Sequence, residues 1–396
     1  MVLLIFVGFV LAFAVSLGLL RFARRHMRHY PAEAPQRFHL GHVPRLGGVA
    51  MLVGLMVSLA LSLLSPVAGV DANIDFGAMM VGAWLATLLP SVAGGFYEDM
   101  TQRLRVSWRL LLTLTSGLAG WLFFDIQVPR LGIESLDAIW VSIPALPVLL
   151  AILAVTGLPH AFNIIDGYNG LAATVAMVVC LAIAHVALQV GDRQLAALVL
   201  CLAGATGGFL VWNYPRGLIF AGDGGAYLWG VVIAMACITL VQRHAEVSPW
   251  FPVLLLIYPV WETLFSIYRK ASRGVSPGVA DALHFHQLIF RRIVRGVFDD
   301  DESRMLLIRN NRTSPYLWGF TLLTVAPAVL FWRNTVVLML FTTLFVVTYT
   351  WIYLSIIRFR VPRWLGVRRP GEGNGNDQGA GEDDDEDDSS GPDYPR

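Results

Sequence analysis

Charge is scarce in this chain, and so are cysteine and any repeated pattern. Only 14% of its 396 residues are Asp, Glu, Lys or Arg, whereas 56% are hydrophobic. A soluble domain carries about a quarter charged residues, so an ordinary soluble globule is excluded. The three cysteines, Cys180, Cys201 and Cys237, fall inside apolar runs with no paired spacing. That excludes a disulfide framework and a zinc site and leaves them as small buried hydrophobes. No internal repeat is discernible, which removes a common mark of transporters. The first apolar segment lacks a basic stretch before it and a small-residue cleavage site after it. A retained first helix is therefore expected, not a cleaved signal peptide.

Apolar runs of roughly 20 residues, the length that crosses a bilayer, recur along the chain. Eleven are read, at about 2–20, 46–64, 77–96, 108–124, 140–158, 171–190, 195–212, 224–241, 251–268, 316–332 and 335–357. The expected fold is all-α, a polytopic membrane protein of about 11 transmembrane helices with its active site at the cytoplasmic face. The transmembrane domain covers residues 1–360 and a disordered acidic tail covers 361–396. Between 371 and 396 ten acids face only Arg396, and such a Gly/Asp-rich stretch cannot bury a core. The rest of the chain holds 28 bases against 18 acids. With the N-terminus outside, 25 of the 29 basic residues fall on the cytoplasmic side, and only Arg130, Arg193, Arg243 and Arg333 fall outside. Basic loops stay inside, so the predicted orientation is N-terminus outside and C-terminus cytoplasmic.

Four polar stretches interrupt the apolar sequence, and in this topology all four reach the cytoplasmic side. They are GFYEDMTQRL, FNIIDGYNGLA, IFAGDGGAYLWG and DALHFHQLIFRR. Carboxylates, amides and imidazoles at membrane depth are costly unless they serve a site. Glu98 and Asp99 offer a base or a metal ligand, and two carboxylates so close call for a nearby cation. Asn163, Asp166 and Asp223 supply hard oxygen donors, which suit Mg²⁺ or Mn²⁺ better than zinc. Asn163, Asp166 and Asn169 recur every three residues, the spacing of one helical face. Gly222, Gly224 and Gly225 permit close backbone approach where a helix begins, and free N–H groups there favour phosphate. His284, His286, Arg291 and Arg292 add groups that can grip a diphosphate. Together these residues describe metal-assisted phosphoryl transfer.

In this order, with Pro44-Arg45-Leu46-Gly47-Gly48 ahead of them, the motifs resemble the polyprenyl-phosphate N-acetylhexosamine-1-phosphate transferases of the MraY/WecA type. The resemblance runs to about residue 357. It implies a multi-pass enzyme of the bacterial inner membrane that takes a sugar phosphate from a UDP-sugar, passes it to undecaprenyl phosphate and releases UMP, with Mg²⁺ as cofactor. No nucleic-acid partner is implied. By motif position, Asn163 and Asp223 resemble the metal-binding pair. Glu98 and Asp99 resemble the acidic pair that handles the lipid phosphate, and Asp166 an organiser of the site. Gly167, Tyr168, Asn169 and Phe220 match positions near the nucleoside, with Phe220 placed to stack on uracil. His284, His286 and Arg291 match the sugar-diphosphate side.

Two departures from the family pattern stand out. Glu98 replaces the commoner aspartate, and Gln287 stands where many relatives have a third histidine. The choice between Glu98 and Asp99 as base stays open, as does that between direct attack and a covalent intermediate. Glu262, alone in the ninth span, is read either as glue between helices or as lining of the lipid path. Rival readings are a transporter or flippase using the carboxylates as an ion relay, and a lipid phosphatase.

Overall fold

The computed structural model describes residues 1–23, 43–64, 74, 76–274, 284–289 and 302–357, with side chains from 310 onward in the last stretch. Arg291, Arg292 and the acidic tail 361–396 lie outside the described residues. Inside a bilayer no water is present to satisfy the backbone, so each apolar run closes its own hydrogen bonds as a helix. The described regular structure is accordingly all helical.

The helices are α1 (Val2–Ala23), α2 (Gly47–Leu61), α3 (Gly77–Thr101), α4 (Val106–Phe124), α5 (Glu134–Ser142), α6 (Ala145–Ile165) and α7 (Leu171–Gln189). After them come α8 (Arg193–Asn213), α9 (Gly222–Arg243), α10 (Trp250–Leu255), α11 (Ile257–Ala271), α12 (Phe285–Ile289), α13 (Glu302–Leu330) and α14 (Thr335–Ile357). Among the described residues, eight are long and apolar enough to cross a membrane: α1, α2 with the turn that follows it, α3, α6, α7, α8, α9 and α14. The chain is a polytopic, all-α membrane protein. Outward side chains such as Leu85, Leu89, Leu149, Leu153, Leu340 and Leu344 are exposed, an apolar surface that suits lipid.

The other three of the eleven expected spans are helical but differ from simple crossings. Residues 108–124 lie in α4, which carries Arg109 in its first turn. The stretch 251–268 is divided between α10 and α11. The stretch 316–332 belongs to α13, which begins far earlier, at Glu302. The expected span at 140–158 is also displaced. Pro144 precedes the first turn of α6, which then runs on to Ile165 and carries Asn163 in its last turn, while 134–142 form the separate α5.

Helix α9 is the central post, with almost every residue buried and α2, α3, α6, α7 and α8 packed around it. Its first turn is where three backbones meet. A Cβ on Gly95 of α3 would lie 2.5 Å from the Gly224 nitrogen, and one on Gly48 of α2 would lie 2.6 Å from the Gly224 carbonyl carbon. Only glycine permits that approach.

At the other end of α9 one guanidinium closes the bundle. Arg130 donates to the carbonyls of Val241 (3.1 Å), His244 (3.1 Å), Ala245 (3.0 Å) and Val247 (2.7 Å). A cation suits the carbonyl end of a helix, whose last oxygens have no partner in the helix itself. Arg130→Ala is therefore expected to cost about 2–3 kcal/mol. Thermal unfolding in detergent reads this as a lower Tm, while turnover per folded molecule stays at the wild-type value.

Candidate active site

The site forms where the ends of α3 and α6 meet the beginnings of α4 and α9. Asp99, at the end of α3, accepts the backbone N–H groups of Asp223 and Gly224, each at 3.0 Å. It thus serves as a cap for α9 supplied by another helix. Gly222 makes the cap possible: its φ is +72°, and a Cβ there would lie 2.6 Å from Asp99 Oδ1. The N–H groups expected to be free for phosphate are those of this turn, and Asp99 takes two of them. A phosphate is not their partner in this arrangement.

Asp223 is buried and uses both carboxylate oxygens. Oδ1 accepts from Asn163 Nδ2 at 2.8 Å, and Oδ2 accepts from Arg109 Nη1 at 3.2 Å. The other end of the Arg109 guanidinium pairs with Glu98, and its Nε donates to the Leu104 carbonyl at 3.1 Å. Glu98 also accepts from the Leu104 N–H at 2.7 Å. Arg109 thus bridges Glu98 and Asp223, carboxylates that come from two separate motifs. A guanidinium so near an apolar helix start was the available signal.

His160, one turn before Asn163 on α6, was also missed. Its Nε2 lies 3.1 Å from Thr113 Oγ1, and its ring meets Tyr227 edge-on at 5.2 Å. A lone histidine in an apolar run gives no periodic signal.

Asp166 follows the last turn of α6 and is partly buried. Burial pushes its carboxyl up to about 7, against the pull of Arg45 and with the push of Asp223. Asn163, Asp166 and Asn169 do not share one helical face, because α6 ends at Ile165. Asn169 instead is buried and bound to α13. Its N–H donates to Asn310 Oδ1 (2.8 Å), its amide to Asn311 Oδ1 (3.1 Å), and its carbonyl accepts from Ser314 (2.6 Å).

The late histidines meet the other side of this loop. His286 contacts Tyr168 edge-on at 5.5 Å, and a Cβ on Gly167 would sit 2.7 Å from His286 Nε2. His284 lies 3.0 Å from Glu262. Phe220 is half-buried and bonds through its backbone: its N–H donates to Pro44 at 2.9 Å, and its carbonyl accepts from Gly47 at 2.9 Å. The early Pro-Arg-Leu-Gly-Gly motif is thereby tied to the start of α9.

Among the described residues, no three His, Cys, Asp or Glu side chains gather to hold a metal by themselves. The Asn163 amide and the Asp223 carboxylate do sit within one hydrogen bond of each other. Such a two-residue set of hard oxygens fits Mg²⁺, which keeps waters and substrate phosphates as its other ligands.

Residues 80–241 match glycosyl transferase family 4. A phospho-N-acetylmuramoyl-pentapeptide-transferase of Moorella thermoacetica is 33% identical over 246 residues, covering 60% of this chain and 72% of that protein. The chain belongs to glycosyl transferase family 4. Other members resemble it at similar length. A probable undecaprenyl-phosphate N-acetylglucosaminyl 1-phosphate transferase of Bacillus subtilis is 26% identical over 252 residues, 63% of this chain and 66% of its own. A decaprenyl-phosphate N-acetylglucosaminephosphotransferase of Mycobacterium tuberculosis is 27% identical over 296 residues, 66% of this chain and 68% of its own. The chain thus spans about two thirds of the length of these family members. The family match includes Glu98, Asp99, Asn163, Asp166 and Asp223 and stops short of Glu262, His284 and His286.

Proposed function

We propose that the chain transfers N-acetylhexosamine 1-phosphate from a UDP-sugar to undecaprenyl phosphate at the cytoplasmic face of a bacterial plasma membrane, releasing UMP. The observation that carries this reading is the Asp99–Asp223–Asn163 chain of hydrogen bonds, which joins three separate polar motifs at one end of the bundle. The relatives' names supply the reaction class, and the bias of basic residues supports the orientation.

Asn163 and Asp223 would hold Mg²⁺, which when bound neutralises diphosphate charge and stabilises the departing phosphate. Asp99 holds the first turn of α9, and with it Asp223, in place. Arg109 draws in the lipid phosphate. Of five guanidinium N–H groups, three are committed to Leu104, Asp223 and Glu98, and the others can turn to a phosphate oxygen.

An oxygen of the lipid phosphate attacks the β-phosphorus, the bond from that phosphorus to the bridging oxygen breaks, and UMP leaves with the electron pair. A phosphomonoester has its second pKa near 6, so the nucleophile arrives largely ionised and asks little of a base. Glu98 and Asp99 both accept several hydrogen bonds, which lowers their reactivity as nucleophiles and favours direct displacement over a covalent intermediate. An ion-relay reading gains no support, since Glu98, Asp99 and Asp223 cluster at helix ends.

The test uses purified protein in lipid nanodiscs with undecaprenyl phosphate, Mg²⁺ and a panel of UDP-hexosamines carrying ³²P at the β position. The expected result is label in the lipid with matching release of UMP. Release of labelled UDP, or no product from any donor, overturns the reading.

A further inference from the structure

Helix α11 turns a polar face inward and an apolar face outward. Glu262, Ser266 and Arg269 recur at helical spacing and are buried, whereas Leu264, Ile267 and Tyr268 are exposed. Glu262 is 1% exposed, and its carboxylate is surrounded by donors. Oε1 accepts the Phe285 N–H at 3.0 Å and lies 3.0 Å from His284 Nδ1, while Oε2 accepts the Tyr349 hydroxyl. A buried carboxylate left without such partners would cost several kcal/mol, so these bonds fix the segment at 284–289 against α11 and α14.

The hydrogen bonds also assign the imidazole proton. Oε1 already acts as an acceptor toward Phe285, so the His284 nitrogen facing it carries the hydrogen. The Nδ1–H is therefore committed to Glu262, and Nε2, on the opposite edge of the ring, has no hydrogen-bond partner among the described residues. The ring of His284 stacks on that of His286 at 5.4 Å with an interplanar angle of 7°. His286 in turn lies against Gly167, the residue after Asp166. A buried carboxylate on α11 thus sets which nitrogen the histidine pair presents beside the Asp166 loop. Second partners of this kind fix ring orientation and tautomer in other sites.

We propose that Glu262 is a positioning residue for the donor sugar: it holds His284 with Nδ1–H inward and leaves Nε2 as the edge that meets the sugar-diphosphate. This rests on the reading of the chain as a UDP-hexosamine phosphotransferase. The partners on Glu262 come from α14 and from His284 and Phe285 at the start of the short α12 segment, so it acts through His284 and does not touch substrate.

The experiment is a double-mutant cycle with steady-state kinetics in nanodiscs. E262A is expected to raise KM for the UDP-sugar about tenfold or more while kcat stays within about threefold, and H284A is expected to do the same. E262Q keeps an acceptor oxygen for both N–H groups and is expected to recover most of the loss. The combined E262A/H284A variant is expected to be no worse than H284A alone. Additive effects, an unchanged KM in E262A, or no recovery in E262Q each overturn the proposal. If E262A does not fold, E262M, which keeps the volume and removes the acceptor, takes its place in the cycle. Wild-type protein that uses no UDP-hexosamine contradicts the functional reading itself, an outcome separate from any failure of the cycle.

Discussion

Asp223→Asn abolishes UMP release, with turnover falling by roughly 10³-fold or more, while the protein still inserts and folds. The size of the loss follows from the number of tasks that one carboxylate performs. Asp223 accepts from Asn163 on one oxygen and from Arg109 on the other, and it is the sole carboxylate in the proposed metal-binding pair. Asn replaces one acceptor by an NH₂ group that must face either the Asn163 amide or the Arg109 guanidinium, donor against donor. It also removes the charge that would hold a hard cation, and electrostatic groups at a phosphoryl-transfer site carry most of the catalysis. Folding survives because the backbone N–H of residue 223 still bonds to Asp99. The measurement is UMP release together with the melting temperature. Wild-type turnover in the folded variant contradicts the role.

Asp99→Asn is the second large effect, by a different route. The native carboxylate receives one backbone N–H on each oxygen, from Asp223 and Gly224. An amide presents only one acceptor, so one N–H of α9 is left facing another donor, at a cost of about 1–3 kcal/mol. The first turn of α9 shifts, and Asp223 with it. Misplacement by about 1 Å costs about 10²-fold in rate, and a loss of that size or greater is expected in kcat, together with a lower Tm. D99N differs from D223N in that fall of stability. A variant with unchanged Tm and unchanged kcat contradicts the capping role.

The sequence carried much of this site because its chemistry comes in compact motifs. Glu98, Asp99, Asn163 and Asp223 were all named before any geometry, since ionisable and amide groups stand out against apolar runs. Partnership was less legible. Glu262 was visible as a costly carboxylate, but its partner His284 comes from a segment 22 residues later that no periodicity links to α11. The pairing of Arg109 with both Glu98 and Asp223 was not legible, because a sequence does not show that α4 packs beside them. The one-face reading of Asn163, Asp166 and Asn169 failed because a helix was assumed to continue where α6 stops. The displaced sixth helix had a signal in Pro144, which disfavours helix in the residue before it. Asn169 is held by Asn310, Asn311 and Ser314 of α13, and nothing in its own motif points to that helix.

The most direct test of a shared hard-cation pocket is Mn²⁺ binding followed by electron paramagnetic resonance on the purified protein, with Mn²⁺ standing in for Mg²⁺. Wild-type protein should show saturable binding that Mg²⁺ displaces, and both N163A and D223N should lose it while remaining folded. Saturable binding that survives unchanged in folded D223N would contradict the account.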